Sequence, residues 1–121
     1  MPNFNSVELM GFMARDSEIK YANGGLAFCN GTIRVKERYG AGDEEINFFN
    51  FSYAGDQAEK YFNKLKKGNG LFISGKLRHE KWESKRDGEK KTGVRIIASR
   101  IIVLSENGSD RELDHHDDYR D

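Results

Sequence analysis

The side chains that most often carry out catalysis are few in this chain, and their neighbours do not favour it. His79 lies in a charged run, where a histidine is usually solvent-exposed. Cys29 lies on the apolar side of an alternating segment, where a packed and unreactive thiol is expected. Glu44-Glu45 has no second carboxylate placed opposite it, so no acid–base pair is indicated. Because the sequence also contains no phosphate-binding glycine loop and no nucleophile elbow, we predict that the chain is not an enzyme.

Metal-ligand residue types occur together near the C-terminus, in His115-His116-Asp117-Asp118. Adjacent histidines in a stretch without periodicity rarely converge on one ion, so we interpret this stretch as a solvated polar tail. We therefore predict that the protein has no metal site and no cofactor.

Aromatic and basic side chains are interleaved along several segments, a combination that suits single-stranded nucleic acid. A basic groove holds phosphates, and exposed rings offer faces on which bases stack. Residues 60–100 contain thirteen basic and four acidic side chains, and the only tryptophan lies in the polar sequence Glu80-Lys81-Trp82-Glu83. The residues predicted to bind nucleic acid are Phe28, Arg34, Lys36, Arg38, Tyr39, Phe48, Lys76, Arg78, Lys81, Trp82 and Arg95.

The distribution of charge supports this interpretation although the net charge is zero. The 121 residues include twenty basic and twenty acidic side chains. Residues 1–105 carry eighteen basic and thirteen acidic side chains, a net +5, whereas residues 106–121 carry two and seven, a net −5. A basic body with an acidic tail is typical of chains that contact nucleic acid. We predict one domain over 1–105 and a disordered acidic tail over 106–121.

The composition excludes several other classes of protein. The longest apolar runs are about four or five residues, far short of the roughly 20 that span a bilayer, and the N-terminus has no apolar signal segment. A single cysteine forbids an intrachain disulfide and is typical of a reducing compartment. We expect a cytoplasmic protein without membrane contact, whose small core would gain from association into an oligomer.

Five segments alternate between apolar and polar residues with the period of a β-strand. In the clearest, 26–38, the odd positions are small or apolar and the even positions are mostly polar or basic. Glycine-rich turns separate the segments, and Asp87-Gly88 predicts a tight hairpin. The predicted strands span 7–13, 26–38, 43–53, 71–78 and 92–104.

The alternation also predicts which side chains face the core, because a pleated strand sends successive side chains to opposite faces. Polar and basic residues on the same strands then form an outer face. The side chains expected inside are Ala27, Cys29, Ile33, Val35, Phe49, Phe51, Tyr53, Leu71, Ile73 and Leu77.

One segment has helical periodicity instead. From 56 to 67, apolar residues recur at i, i+3, i+4 and i+7, which is one face of a helix. Asp56 is expected to cap its start, and Gly68 to adopt the left-handed conformation after its end. Three strands, a helix and two strands predict an all-β, five-stranded Greek-key barrel of the OB type. An SH3-like barrel would not account for a three-turn helix at that place.

The order and spacing of several motifs resemble the bacterial-type single-stranded DNA-binding proteins, over roughly residues 5–104. The opening Asn5-Ser6-Val7-Glu8-Leu9-Met10-Gly11 is similar to the family pattern Asn-x-Val-x-Leu-x-Gly. Further matches are Arg15-Asp16-Ser17-Glu18-Ile19-Lys20-Tyr21, Asn23-Gly24-Gly25-x-Ala27, Gly55-Asp56-Gln57-Ala58-Glu59, Ile73-x-Gly75-x-Leu77-Arg78 and Lys81-Trp82.

The resemblance implies an OB-fold protein that forms a tetramer or a dimer and coats single-stranded DNA during replication, recombination and repair. It implies base stacking at positions that align with Tyr39, Phe48 and Trp82. A further stacking position of the family falls on Ala54, which has no ring, so weaker stacking or a different strand path is expected.

The tail also departs from the family. It ends in Asp117-Asp118-Tyr119-Arg120-Asp121 and lacks the Ile-Pro-Phe-like group through which family members recruit replication and recombination proteins. This ending is compatible with a short-tailed paralogue or a copy carried by a phage or mobile element. Two alternatives stay open from the sequence: an OB-type interaction module of a replication or recombination complex, and a protein that binds single-stranded RNA, since stacking platforms accept both nucleic acids.

Overall fold

The five alternating segments all form strands, and the helical segment forms a helix. A short additional strand brings the number of strands to six, and the helix lies between the fourth and the fifth strand. The computed structural model describes residues 2–106, so the predicted acidic tail and its histidines lie outside the described residues, apart from Glu106. The strands are β1 (Val7–Met13), β2 (Glu18–Tyr21), β3 (Ala27–Tyr39), β4 (Asp43–Ala54), β5 (Gly70–Glu83) and β6 (Lys90–Ser105), and the helix is α1 (Ala58–Lys64).

The strands close into a barrel. Neighbours run in the order β1-β5-β6-β4-β3-β2, and β1 also pairs with β3, which closes the circle. The pairing of β4 with β6 is parallel, and the other pairings are antiparallel. This topology is the predicted OB barrel. The short strand β2, which pairs along the edge of β3, was not predicted, because four residues are too few to show a reliable alternation.

The barrel closes where β1 crosses from β5 to β3. At this crossing Phe12 pairs with Arg34, and Met13 pairs with Ile33. A Cβ atom on Gly11 would lie 2.2 Å from the carbonyl oxygen of Arg34. Glycine is therefore required here for close approach of two backbones, which gives a physical reason for the glycine that ends the opening motif.

The core is built largely from the side chains that the alternation predicted to be inside. Cys29, Ile33, Phe51 and Leu71 are fully buried, and burial raises the pKa of the Cys29 thiol. The prediction of burial is wrong at two positions: Phe49 is 37% exposed and Leu77 is 44% exposed.

The two exceptions have a geometric cause. Phe49 lies beyond Phe51 toward the far end of the β3–β4 ladder, which continues past the barrel to Tyr39 and Asp43. Leu77 follows a break in register between Ser74 and Gly75. Both hairpins extend beyond the barrel. In the extended part, side chains on the core-facing side have no opposing strand to pack against and are exposed to solvent. The sequence does not reveal where the barrel ends.

Helix α1 is shorter than predicted. It begins after Gln57, which makes no side-chain capping bond, so the predicted cap by Asp56 is wrong. Its last residue before the cap position is Lys64, and Leu65 closes the turn by donating its N–H to Tyr61. The predicted apolar face does pack on the core, although Gly68, with φ of +90°, does not follow the helix directly. Among the described residues, no helix is both long and apolar enough to cross a membrane.

Candidate nucleic-acid interface

The register of the ladders places most of the predicted binding residues on one surface. Side chains at directly paired positions share a face of the sheet, and Arg34 pairs with Phe48 across β3 and β4. Arg95 of β6 pairs with Arg78 of β5 and also reaches β4. We call this surface, formed by outward residues of β3, β4, β6 and β5, the outer face. Its predicted binding residues are Phe28, Arg34, Lys36, Arg38, Phe48, Lys76, Arg78, Trp82 and Arg95.

Polar side chains link β3 to β4 at the centre of the outer face. The Thr32 hydroxyl donates to Asn50 Oδ1 at 2.8 Å, and the Ser52 hydroxyl donates to Asn30 Oδ1 at 2.5 Å. These bonds join positions that are directly opposite in register. They fix the surface on which the neighbouring rings and cations stand, and the sequence reasoning did not identify them.

Arg95 extends this polar network to the other half of the face. Its Nε donates to Glu80 Oε2 at 2.7 Å, and its Nη1 donates to Ser52 Oγ at 3.2 Å and to the carbonyl of Phe51 at 3.4 Å. One guanidinium therefore ties β6 to both β5 and β4. The Glu80 carboxylate also forms an ion pair with this guanidinium, and this pairing was not predicted from the sequence.

Two large rings stand exposed on the outer face. Phe48 is 61% exposed and Trp82 is 50% exposed. Phe28 is half-buried and pairs directly with Ala54, the position where the resemblance implies a ring and this chain has none. The ring of Phe28 therefore lies next to the position at which that ring would stand.

The cations of the outer face divide into paired and unpaired groups. The Arg38 guanidinium lies 3.1 Å from Glu44, directly across the β3–β4 hairpin. Within residues 2–106, no ion-pair partner lies within 4.0 Å of the four remaining cations. Their positive charge is available for a ligand such as a phosphate. They are Arg34, Lys36, Lys76 and Arg78.

Two predicted residues are not brought onto the outer face. Tyr39 is one position out of phase with Arg38, and its hydroxyl donates to Glu37 at 3.1 Å. Hydrogen bonds to Glu37 and then to Glu45 raise the pKa of Tyr39 to about 12. Lys81 is one position out of phase with Trp82, so it lies on the other side of the β5–β6 hairpin. Successive side chains of a strand point to opposite faces, so Tyr39 and Arg38 lie on different faces, as do Lys81 and Trp82.

The described residues hold no cluster of three or more histidine, cysteine, aspartate or glutamate side chains that could bind a metal ion. The surface instead combines exposed rings, unpaired cations and a fixed polar centre on a closed five-strand barrel with one added edge strand. This arrangement defines an OB-fold protein whose outer face suits a polyanion with flat bases.

The particular family follows from comparison with known proteins. Residues 4–104 match the Single-strand binding protein family, and the chain belongs to it. Members of this family bind DNA without catalysis, in agreement with the prediction that the chain is not an enzyme.

Similar proteins include three called single-stranded DNA-binding protein. The protein of Treponema pallidum is 35% identical over 107 residues, covering 86% of this chain and 60% of that protein. The Synechocystis protein is 33% identical, covering 89% and 87%. The Borreliella burgdorferi protein is 29% identical, covering 97% and 80%. A solved Plasmodium falciparum SSB in complex with ssDNA has a TM-score of 0.77 at 20% identity, covering 87% of this chain and 98% of that one.

Proposed function

We propose that this protein binds single-stranded DNA without sequence preference and coats it during replication, recombination and repair. The observation that carries the proposal is the outer face, where the exposed rings of Phe48 and Trp82 accompany four unpaired cations. Bases of any sequence have a flat face that stacks on such rings, and cations follow the phosphates. Family membership supports the same function.

The division of roles follows from the contacts. Phe48, Trp82 and Phe28 stack bases, and the unpaired cations contact phosphates. Arg38 contributes only when phosphate competes with Glu44. Arg95 acts mainly as the brace between strands, because its Nε and Nη1 donors are already engaged by Glu80, Ser52 and the carbonyl of Phe51. Tyr39 and Lys81 would join the interface only if the DNA passes around the edges of the two hairpins.

The proposal is tested by titrating the fluorescence of Trp82, the only tryptophan, with poly(dT) at several salt concentrations. We expect quenching on binding, and a log–log salt slope near −0.7 for each phosphate contacted. Absence of both quenching and salt-dependent binding would contradict the proposal. Competition with a matched RNA oligonucleotide decides between DNA and RNA, and weak binding that moderate salt abolishes would indicate a protein-interaction module instead.

We also propose that the protein is a homo-oligomer, a tetramer or a dimer. Outward apolar side chains of β1, β5 and β6 form a patch away from the interface residues: Met10 pairs with Phe72, and Phe72 pairs with Ile102. Met10 is 61% exposed and Leu104 is 50% exposed. Contiguous apolar surface of this kind marks an association site.

The edge of β1 is compatible with the same association. Along its length β1 pairs with β5, but it pairs with β3 only at Phe12 and Met13. Within the described residues, the edge of 7–10 that faces away from β5 is therefore unpaired, and such an edge accepts a strand from a second copy. The apolar patch and the free edge together favour this chain as its own partner.

Two further proposals rest on the sequence and the family. We place the protein where single-stranded DNA is formed, in the bacterial cytoplasm and nucleoid, or in the host cytoplasm for a phage-encoded copy. Recruitment of replication or recombination proteins would depend on residues 106–121, whose acidic sequence lacks the family's apolar ending.

A further inference from the structure

An open pocket of about 300 Å³ lies beside Phe48, where β1 crosses to β3. Its lining includes Phe12 of β1, Arg34 of β3, and Lys67 and Gly68 from the segment after α1. Neither Phe12 nor Lys67 was among the predicted binding residues. The volume is at the low end of the roughly 300–1,000 Å³ typical of small-molecule sites, which suits a single nucleotide unit.

Three side chains form a row across the strands at this pocket. Phe12 of β1 pairs with Arg34 of β3, and Arg34 pairs with Phe48 of β4, so all three share the outward side of the barrel. The guanidinium carbon of Arg34 lies 5.9 Å from the centre of the Phe12 ring, within the range of a cation–π contact. A cation thus stands between two aromatic rings.

The wall formed by Lys67 and Gly68 is fixed in place by backbone hydrogen bonds. Gly68 donates its N–H to the carbonyl of Met13 at 3.0 Å, and Lys67 donates its N–H to Asp16 Oδ1 at 2.8 Å. These amide donors are therefore not free to bind a ligand. The ammonium group of Lys67, which has no ion-pair partner among the described residues, remains as the positive group of this wall.

We propose that this pocket receives one unstacked base of the bound single strand, against the rings of Phe12 and Phe48, with Arg34 and Lys67 on the flanking phosphates. The proposal rests on the proposed function and adds two residues to the interface. A nucleotide fits because rings stack on its base while cations neutralise its phosphates. No acidic side chain lines the pocket, and the Asp16 carboxylate nearby is engaged by the Lys67 N–H.

The first test replaces the ring of Phe12 while keeping an apolar side chain. Binding of a fluorescently labelled oligo(dT) to the full chain is followed by anisotropy for wild type, Phe12→Leu and Phe4→Leu. Phe4 is a matched control because it is 94% exposed and does not line the pocket. We expect Phe12→Leu to weaken binding at least about fivefold, the lower value for loss of one stacked base, and Phe4→Leu to bind like wild type.

The second test addresses the cation. Lys67→Gln is expected to reduce the magnitude of the log–log salt slope by about 0.7, the value for one phosphate on a single strand. Lys60→Gln, an exposed lysine on α1, is the control and leaves the slope unchanged. Normal binding and slope in folded Phe12→Leu and Lys67→Gln, with wild type still binding oligo(dT), would overturn the pocket and leave the proposed function standing.

A third measurement needs no variant and covers the case in which Phe12→Leu does not fold. Wild-type protein is irradiated with oligo(dT), and the cross-linked peptides are identified by mass spectrometry. A thymine adduct in the peptide that contains Phe12 supports the pocket, whereas adducts confined to the peptide that contains Trp82 overturn it. Absence of any binding by wild type would instead refute the proposed function, and the pocket with it.

Discussion

The indole of Trp82 lies against Gly93 of the neighbouring strand. A Cβ atom at position 93 would be 3.2 Å from both Cη2 and Cζ3 of the ring, closer than a side-chain carbon normally approaches. Glu80 is the residue directly opposite Gly93, so the ring of Trp82 reaches diagonally across the ladder. The glycine gives the ring a flat backbone surface to lie on, so the ring is already oriented in the unbound protein. If Trp82 stacks a base as proposed above, this orientation lowers the entropy lost on binding.

A side chain at position 93 is therefore expected to displace the stacking ring. Gly93→Val should reduce the quenching of Trp82 by poly(dT) and weaken binding roughly fivefold or more, because the indole no longer lies in its binding orientation. Fluorescence titration at fixed salt measures both effects. Thr92→Val, at the adjacent position on the other side of the hairpin, is the control. Unchanged quenching and affinity in Gly93→Val would show that the contact between Trp82 and Gly93 does not contribute to binding.

Removal of the ring itself should have a larger effect. Trp82→Ala is expected to cost about 1–3 kcal/mol of binding free energy, which is the range for one stacked base and corresponds to roughly five- to 150-fold in affinity. His79→Ala is expected to bind oligo(dT) like wild type, because His79 is out of phase with Trp82 on the same strand. Anisotropy with a labelled oligonucleotide measures both variants. Equal losses in the two would contradict the outer face as the interface.

Arg95 and Arg78 are directly paired across β5 and β6 but should behave differently. Arg95→Gln is expected to lower the free energy of unfolding by about 1–3 kcal/mol, because the partly buried Glu80 loses its hydrogen-bonded partner. Arg78→Gln should leave stability almost unchanged and reduce the magnitude of the salt slope by about 0.7. Urea denaturation and salt-dependent titration measure the two quantities. A reduced slope with full stability in Arg95→Gln would assign Arg95 to the phosphates instead.

Tyr39 provides a prediction about pH. Its hydrogen bond to Glu37 favours the protonated phenol, so its pKa is raised from 10.0 to about 12. A raised folded-state pKa contributes stability that is complete below pH 10 and is lost as the pH rises from about 10 to about 12. We expect Glu37→Gln to lower the pKa of Tyr39 toward 10. The difference in phenolate absorbance between each protein and its Tyr39→Phe derivative measures this; an unchanged pKa in Glu37→Gln would contradict the assignment.

The apolar patch predicts how the oligomer is broken. Met10→Glu and Leu104→Glu each place a charge in the patch, and desolvating that charge opposes association. Light scattering should report a smaller particle for both variants, with the fold retained by circular dichroism. Val94→Glu is the control, since Val94 is 54% exposed but lies on the β5–β6 hairpin away from the patch. A wild-type protein that scatters as a monomer would refute the oligomer.

The strands, the helix and much of the core could be predicted because they depend on local periodicity. The alternation from 26 to 38 identifies Cys29 and Ile33 as buried, and both are. The same rule fails at Phe49 and Leu77, because burial there depends on how far each hairpin extends past the barrel. The length of the overhang follows from the pairing of distant strands, about which alternation along one strand contains no information.

The chemical character of the outer face was likewise determined by sequence, because aromatic and basic residues recur at alternate positions along the strands that form it. Only the tertiary structure decided which of them meet. In the folded protein Arg95 is hydrogen-bonded to Glu80, and Phe12 is paired with Arg34. The ring of Trp82 packs against Gly93, whereas Tyr39 and Lys81 lie off the outer face. The reason is that residue type and alternation are local properties, whereas each of these contacts joins strands whose register is set only when the whole barrel closes.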